Sequence, residues 1–150
     1  MKKTITIIII LFIIFIAVFY IWITQNRNQY RQAQMQNYEY EQYKKRELYG
    51  TEVITLINKA MNENEKNSIP QNNKGQYIEN NTNSIIIEVI MIIDEEKKQT
   101  KSYRMEAISK VGISSFITNF NTEKFKIKEI TYHENGRIKG ITIEQQNLNN

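Results

Sequence analysis

Cysteine is absent from the 150 residues. Disulfides, cysteine-held metals and lipidation of a terminal thiol are thereby excluded. Histidine occurs once, at His133, beside Glu134 and without a second imidazole to share a metal. No zinc-type ligand spacing exists, and His133 reads as a surface residue next to a turn. No serine is framed by G-x-S-x-G or S-x-x-K, the contexts that activate a serine nucleophile. Ser114 and Ser115 fall inside an apolar helical pattern. The run Asp94-Glu95-Glu96 passes straight into Lys97-Lys98, unlike the spaced oxygen ligands and glycine of a calcium loop. A dominant charge is lacking too: with Lys2 and Lys3 set aside, 18 basic side chains face 16 acidic ones. That balance argues against nucleic acid as a partner. The expectation is a non-enzyme with no catalytic residues, no cofactor and no metal.

What the sequence does have is one long apolar run. From Ile5 to Ile23 the residues are Ile, Leu, Phe, Val and Ala, with Thr6 and the amphipathic Tyr20 and Trp22 as exceptions. As a helix this run reaches roughly 28 Å, close to a hydrocarbon core of about 30 Å. A secretory signal has a shorter apolar region and a small-x-small cleavage site. Here the run ends Tyr20-Ile21-Trp22-Ile23-Thr24, and Ala17 stands alone within it. The expectation is an uncleaved anchor, residues 1–24, held by the lipid bilayer through residues 5–23. Lys2, Lys3 and the amino terminus precede it; Arg27 and Arg31 follow. The balance narrowly favours a cytoplasmic N-terminus and an extracytoplasmic remainder. Abundant Ile, Asn and Lys fit an AT-rich bacterial genome.

Residues 25–49 are rich in Gln and Asn, with good helix formers and no Pro or Gly. They read as a solvated stalk helix fused to the anchor, with a thin apolar face of Ala33, Tyr40 and Leu48. A disordered Gln-rich tether is the alternative. Residues 50–146 read as a small domain. Val53, Ile54, Leu56, Ile57, Ala60 and Met61 have helical spacing, with Thr51 as cap and Glu52 in the first turn. Pro70 and Gly75 break the pattern. A three-stranded meander is expected next: Tyr77-Ile78, then Ile85 to Ile93 as a central strand buried on both faces, then 100–104, with a charged turn from Asp94 to Gln99. Met105, Ile108, Val111, Phe116, Ile117 and Phe120 predict a helix that Gly112 splits. Two β-patterned runs flank Asn135-Gly136, a strong hairpin signal. A two-residue loop there pairs Glu134 with Arg137, Tyr132 with Lys139 and Ile130 with Ile141, with bulges near Lys128 and Gly140. Lys124, Lys126 and Lys128 suit an edge strand, and residues 147–150 a frayed tail. The fold class is α+β: an N-terminal transmembrane helix continuing into a stalk helix, then a small antiparallel β-sheet packed by helices.

Five tyrosines punctuate residues 25–49. Tyr49 is within reach of the domain and Tyr43 borders it. Tyr30, Tyr38, Tyr40 and Tyr43 form the candidate interaction surface, because tyrosine offers a rigid ring with a wet tip. Homo- or hetero-oligomers through the transmembrane and stalk helices are the expected partners. The layout resembles bacterial pilin-like proteins: short basic N-terminus, membrane helix running into an exposed helix, antiparallel sheet packed on it. The type IV processing pattern, a Gly followed by an aromatic with a Glu five residues in, is absent; Lys3 is followed by Thr4-Ile5-Thr6-Ile7. The resemblance implies a membrane-anchored structural or assembly protein, pilin-like or accessory to a pilus or secretion apparatus. The alternative is a single-span module that recognises a peptide, a wall component or a protein subunit.

Overall fold

The structure, a computed structural model, describes residues 2–94, 96 and 99–146. The tail 147–150 lies outside these residues, as does most of the charged turn after Asp94. Helix α1 (Lys2–Glu41) carries the apolar run and residues 25–41 without a break. It spans about 60 Å, and its most apolar stretch is bare of any protein contact that would bury it. By length and composition this helix is able to cross a membrane. The expected stalk is shorter than 25–49. The amides of Tyr43 and Lys44 bond back three residues, to Tyr40 and Glu41, in a tight turn. Leu48–Tyr49 then forms a two-residue strand, β1.

Helix α2 (Gly50–Lys66) follows. Glu52 Oε2 accepts the Tyr49 N–H at 3.0 Å and so closes its first turn. Val53, Ile54, Leu56, Ile57 and Ala60 are buried, as their spacing predicts. The sheet has the order β1-β4-β5-β2-β3, with β2 (Ile86–Asp94), β3 (Gln99–Arg104), β4 (Lys124–Tyr132) and β5 (Ile138–Gln145). Between β3 and β4 lie α3 (Met105–Val111) and α4 (Ile113–Phe120), parted at Gly112.

The sheet is mixed and not antiparallel: β2 runs parallel to β5, with Ile87 opposite Ile141 and Val89 opposite Ile143. Alternation of apolar residues fixes which face is buried but not the direction of a neighbour. The helices cover one face, where Ile87, Val89, Met91, Phe125, Ile127, Ile141 and Ile143 form the core with α2, α3 and α4. On the other face Glu88 is exposed, and Ile90 and Ile92 are half-buried. Thus β2 is buried on one face and not on both. No strand forms at Tyr77-Ile78; Tyr77 makes a lone bridge to Gln71. Side chains take its backbone groups instead. Glu106 Oε1 accepts the Tyr77 N–H at 2.9 Å, and Arg104 Nη2 donates to its carbonyl at 3.0 Å.

Side chains also fasten α1 and the loops. Asn37 donates to the Gly136 carbonyl at 2.7 Å and accepts from the Ile138 N–H at 3.0 Å. Asn64 does the same for both backbone groups of Ile85, at 2.7 and 2.8 Å. His133 is buried, and its Nε2 lies 2.8 Å from the Ser84 carbonyl. A carbonyl only accepts, so Nε2 carries the hydrogen. His133 is therefore an internal tie between the hairpin and the entry to β2, not a surface turn residue.

Candidate functional site

The four tyrosines separate into two kinds of place. Tyr30 and Tyr38 are 58 % and 70 % exposed. Tyr40 is wholly buried in the domain's own core, beneath the Lys59 ammonium at 5.4 Å from its ring. Burial, helped by the nearby Glu63 carboxylate, holds its phenol well above the ordinary tyrosine range. Tyr43 is half-buried, with the Arg46 guanidinium 4.7 Å from its ring. Tyr40 thus joins α1 to α2, and Ala33 and Leu48 are buried with it. The residues read as a thin apolar stripe are the seam along which α1 docks. An ion pair and a hydrogen bond reinforce the seam: Glu39 with Lys59, and the Gln36 amide donating to Glu63 at 3.0 Å. The Tyr surface open to another molecule is reduced to Tyr30 and Tyr38, with Met35 between them in sequence and 74 % exposed.

A second surface lies at the opposite end of the strands from the hairpin turn on which Asn37 docks. Here α3 and α4 stand off from the ends of β2 and β3 and leave a groove of ≈ 380 Å³. Met91, Ile108 and Phe116 are its buried lining; Tyr103 and Phe120 are half-buried. Ile93 and Val111 stand on it at 51 % and 75 % exposure. Among the described residues no charged side chain lines it. The pairing of β2 with β3 skips Ile93, between Ile92–Thr100 and Asp94–Gln99, so Ile93 is a bulge residue. Val111 ends α3 where Gly112, at φ +104°, breaks the helix. Both were legible as apolar residues in phase with their elements. What the sequence withheld is that no neighbouring element covers them: both are left exposed.

Among the described residues no group of three or more His, Asp or Glu side chains could hold a metal ion. Glu106, the buried carboxylate, is occupied by Arg104 and the Tyr77 amide. Comparison with protein-family models, with curated proteins and with solved structures finds no match to this chain.

Proposed function

We propose that the chain is a membrane-anchored assembly protein, with its N-terminus cytoplasmic and its small domain extracytoplasmic, working as a pilin-like subunit or an accessory of a pilus or secretion apparatus. One observation carries this reading: a helix able to span a bilayer enters the domain at one end of the sheet, and the uncharged apolar groove opens at the other. Tyr30 already lies beside Gly136, its ring 3.9 Å from where a Cβ on that glycine would stand. Only six residues, 24–29, part Tyr30 from the end of the apolar run, a rise of about 10 Å of helix. The domain therefore rides close to the lipid headgroups with its hairpin turn down and its groove facing away. Contiguous exposed apolar side chains away from the anchor favour contact with protein.

Alkaline carbonate should leave the full-length chain in the membrane pellet. Protease added to intact cells should remove the domain. A photo-cross-linker placed at residue 111 should trap a discrete partner in those cells. Release by carbonate overturns the anchor, a protected domain overturns the orientation, and a monomer-only pattern overturns the assembly role.

A further inference from the structure

We infer that the free edge of β3, together with the groove beside it, takes an extended segment of another polypeptide by strand addition. This deepens the assembly reading and rests on it for the position of the anchor. Among the described residues β3 is the last strand of the sheet and pairs with β2 alone. Its outer side offers a row of backbone N–H and C=O groups over Gln99–Arg104. Tyr103 pairs with Val89 and Lys101 with Met91, so both stand on the helix-bearing face. A strand added about 4.8 Å further out would place every second side chain on that same face, beside Tyr103 and at the mouth of the groove. The opposite edge, β4 beyond its two-residue pairing with β1, is guarded: a bulge between Ile127 and Glu129 interrupts it, and the exposed Lys126 and Lys128 oppose strand addition there.

The chemistry of the groove defines the segment. Among the described residues its lining is uncharged, so the seated side chains are neutral and apolar at alternate positions. Lys101, on the edge strand with its ammonium 5.1 Å from the Tyr103 ring, and the exposed Lys110 beside Val111 favour an acidic flank. A second copy does not fit. Copies anchored in one bilayer are related by an axis along its normal, which sets their β3 edges parallel and turns their grooves to opposite faces. A lipid acyl chain fits poorly because the groove is at the end of the domain away from the anchor.

The test uses the full chain held in phosphatidylcholine–phosphatidylglycerol nanodiscs and a displayed library of random dodecapeptides. Selected peptides should carry apolar residues at i, i+2 and i+4. Backbone N-methylation at alternate positions should abolish their binding, and amides of β3 should gain protection from hydrogen exchange. Val111→Asp and Ile93→Asp, both at exposed positions, should weaken binding at least about tenfold while leaving the thermal transition in place. Peptides with i, i+3, i+4 spacing, binding unaffected by N-methylation or by these substitutions, displacement by decanoate, or no enrichment would each overturn the inference. Carbonate extraction of the source membranes reports the anchor separately. A chain that leaves the membrane yet selects alternating peptides refutes the anchor alone; a membrane-held chain that selects none refutes strand addition alone.

Discussion

Asn64 has no exposed surface, and its amide completes both backbone hydrogen bonds of Ile85. It acts as a single residue of sheet offered by a helix. Asn64→Ala leaves a buried N–H and a buried C=O unpaired, and each such group costs about 1–3 kcal/mol. Thermal unfolding of the full chain in detergent should show a loss of about 3 kcal/mol. Asn64→Asp should cost at least as much, since a carboxylate still accepts from the amide but sets two oxygens against each other at the carbonyl. A variant as stable as the parent would refute the tie. Beside the hairpin turn Tyr132 donates to Glu41 Oε1 at 2.7 Å. Partial burial first, then this hydrogen bond and the carboxylate charge, push its phenol up to about 12 from the ordinary 10. A raised acid favours the neutral phenol in the folded state. The stability it contributes is complete below pH about 10 and disappears between about 10 and 12. The tyrosinate ultraviolet band, taken as the difference from Tyr132→Phe, should titrate near the upper value. Glu41→Gln should lower that midpoint only part of the way, because burial is the larger cause.

Elements meet most closely where α2 begins. A Cβ on Gly50 would lie 2.7 Å from the Phe120 carbonyl carbon and closer still to its oxygen. Backbone on both sides leaves nothing free to rotate, so Gly50→Ala must part α2 from α4. A loss of about 3 kcal/mol is expected, with the Phe116–Phe125 ring pair, now 6.2 Å apart, displaced in the near-ultraviolet dichroism. An unaltered spectrum and melting curve would mean that the approach is looser than the backbone positions imply. Element by element, the sequence was readable where period and breakers agree: α2, β2, β3, the pair α3–α4 parted at Gly112, and the hairpin. The hairpin register shows where local signals stop. Asn135-Gly136 suggests a two-residue loop, but His133 N–H bonds the Arg137 carbonyl and Gly136 N–H bonds His133. The loop is thus three residues with Gly136 at φ +81°. That shifts Tyr132 onto Ile138, and a bulge that skips Lys139 restores Ile130 opposite Ile141. The bulge near Lys128 is present as well. Two features left no signal at all. The pair Leu48–Tyr49 is too short to show a period, and the parallel pairing of β2 with β5 depends on a connection through four intervening elements. The exposed Tyr30 and Tyr38 were legible as candidate surface; the groove was not, because it is made of gaps between elements and not of residues.

For the molecule as a whole, the decisive fact is that α1, the helix long and apolar enough to cross a membrane, is also part of the domain. Composition draws the boundary at Gly50, where the Gln-rich stretch ends. The structure draws it earlier: Ala33, Asn37, Tyr40 and Leu48 are all buried. Tyr40 and Leu48 alone withdraw enough apolar surface to contribute about 1.5–3 kcal/mol each. The two hydrogen bonds of Asn37 and the pairing of Leu48 with Phe125 are lost with them. Against a total stability of about 5–15 kcal/mol for a small domain, a deletion of that size removes cooperativity. A fragment of residues 25–150 should be soluble and unfold in one sharp thermal transition. A fragment of residues 50–150 should lack that transition, bind a hydrophobic dye and give collapsed amide proton dispersion. The comparison also bears on how the protein works. A domain that needs residues 33–48 cannot swing freely on α1, so on the proposed membrane reading its groove is held at a fixed height above the bilayer. If the shorter fragment melts as sharply as the longer one, α1 is an accessory to the fold and that rigid placement fails with it.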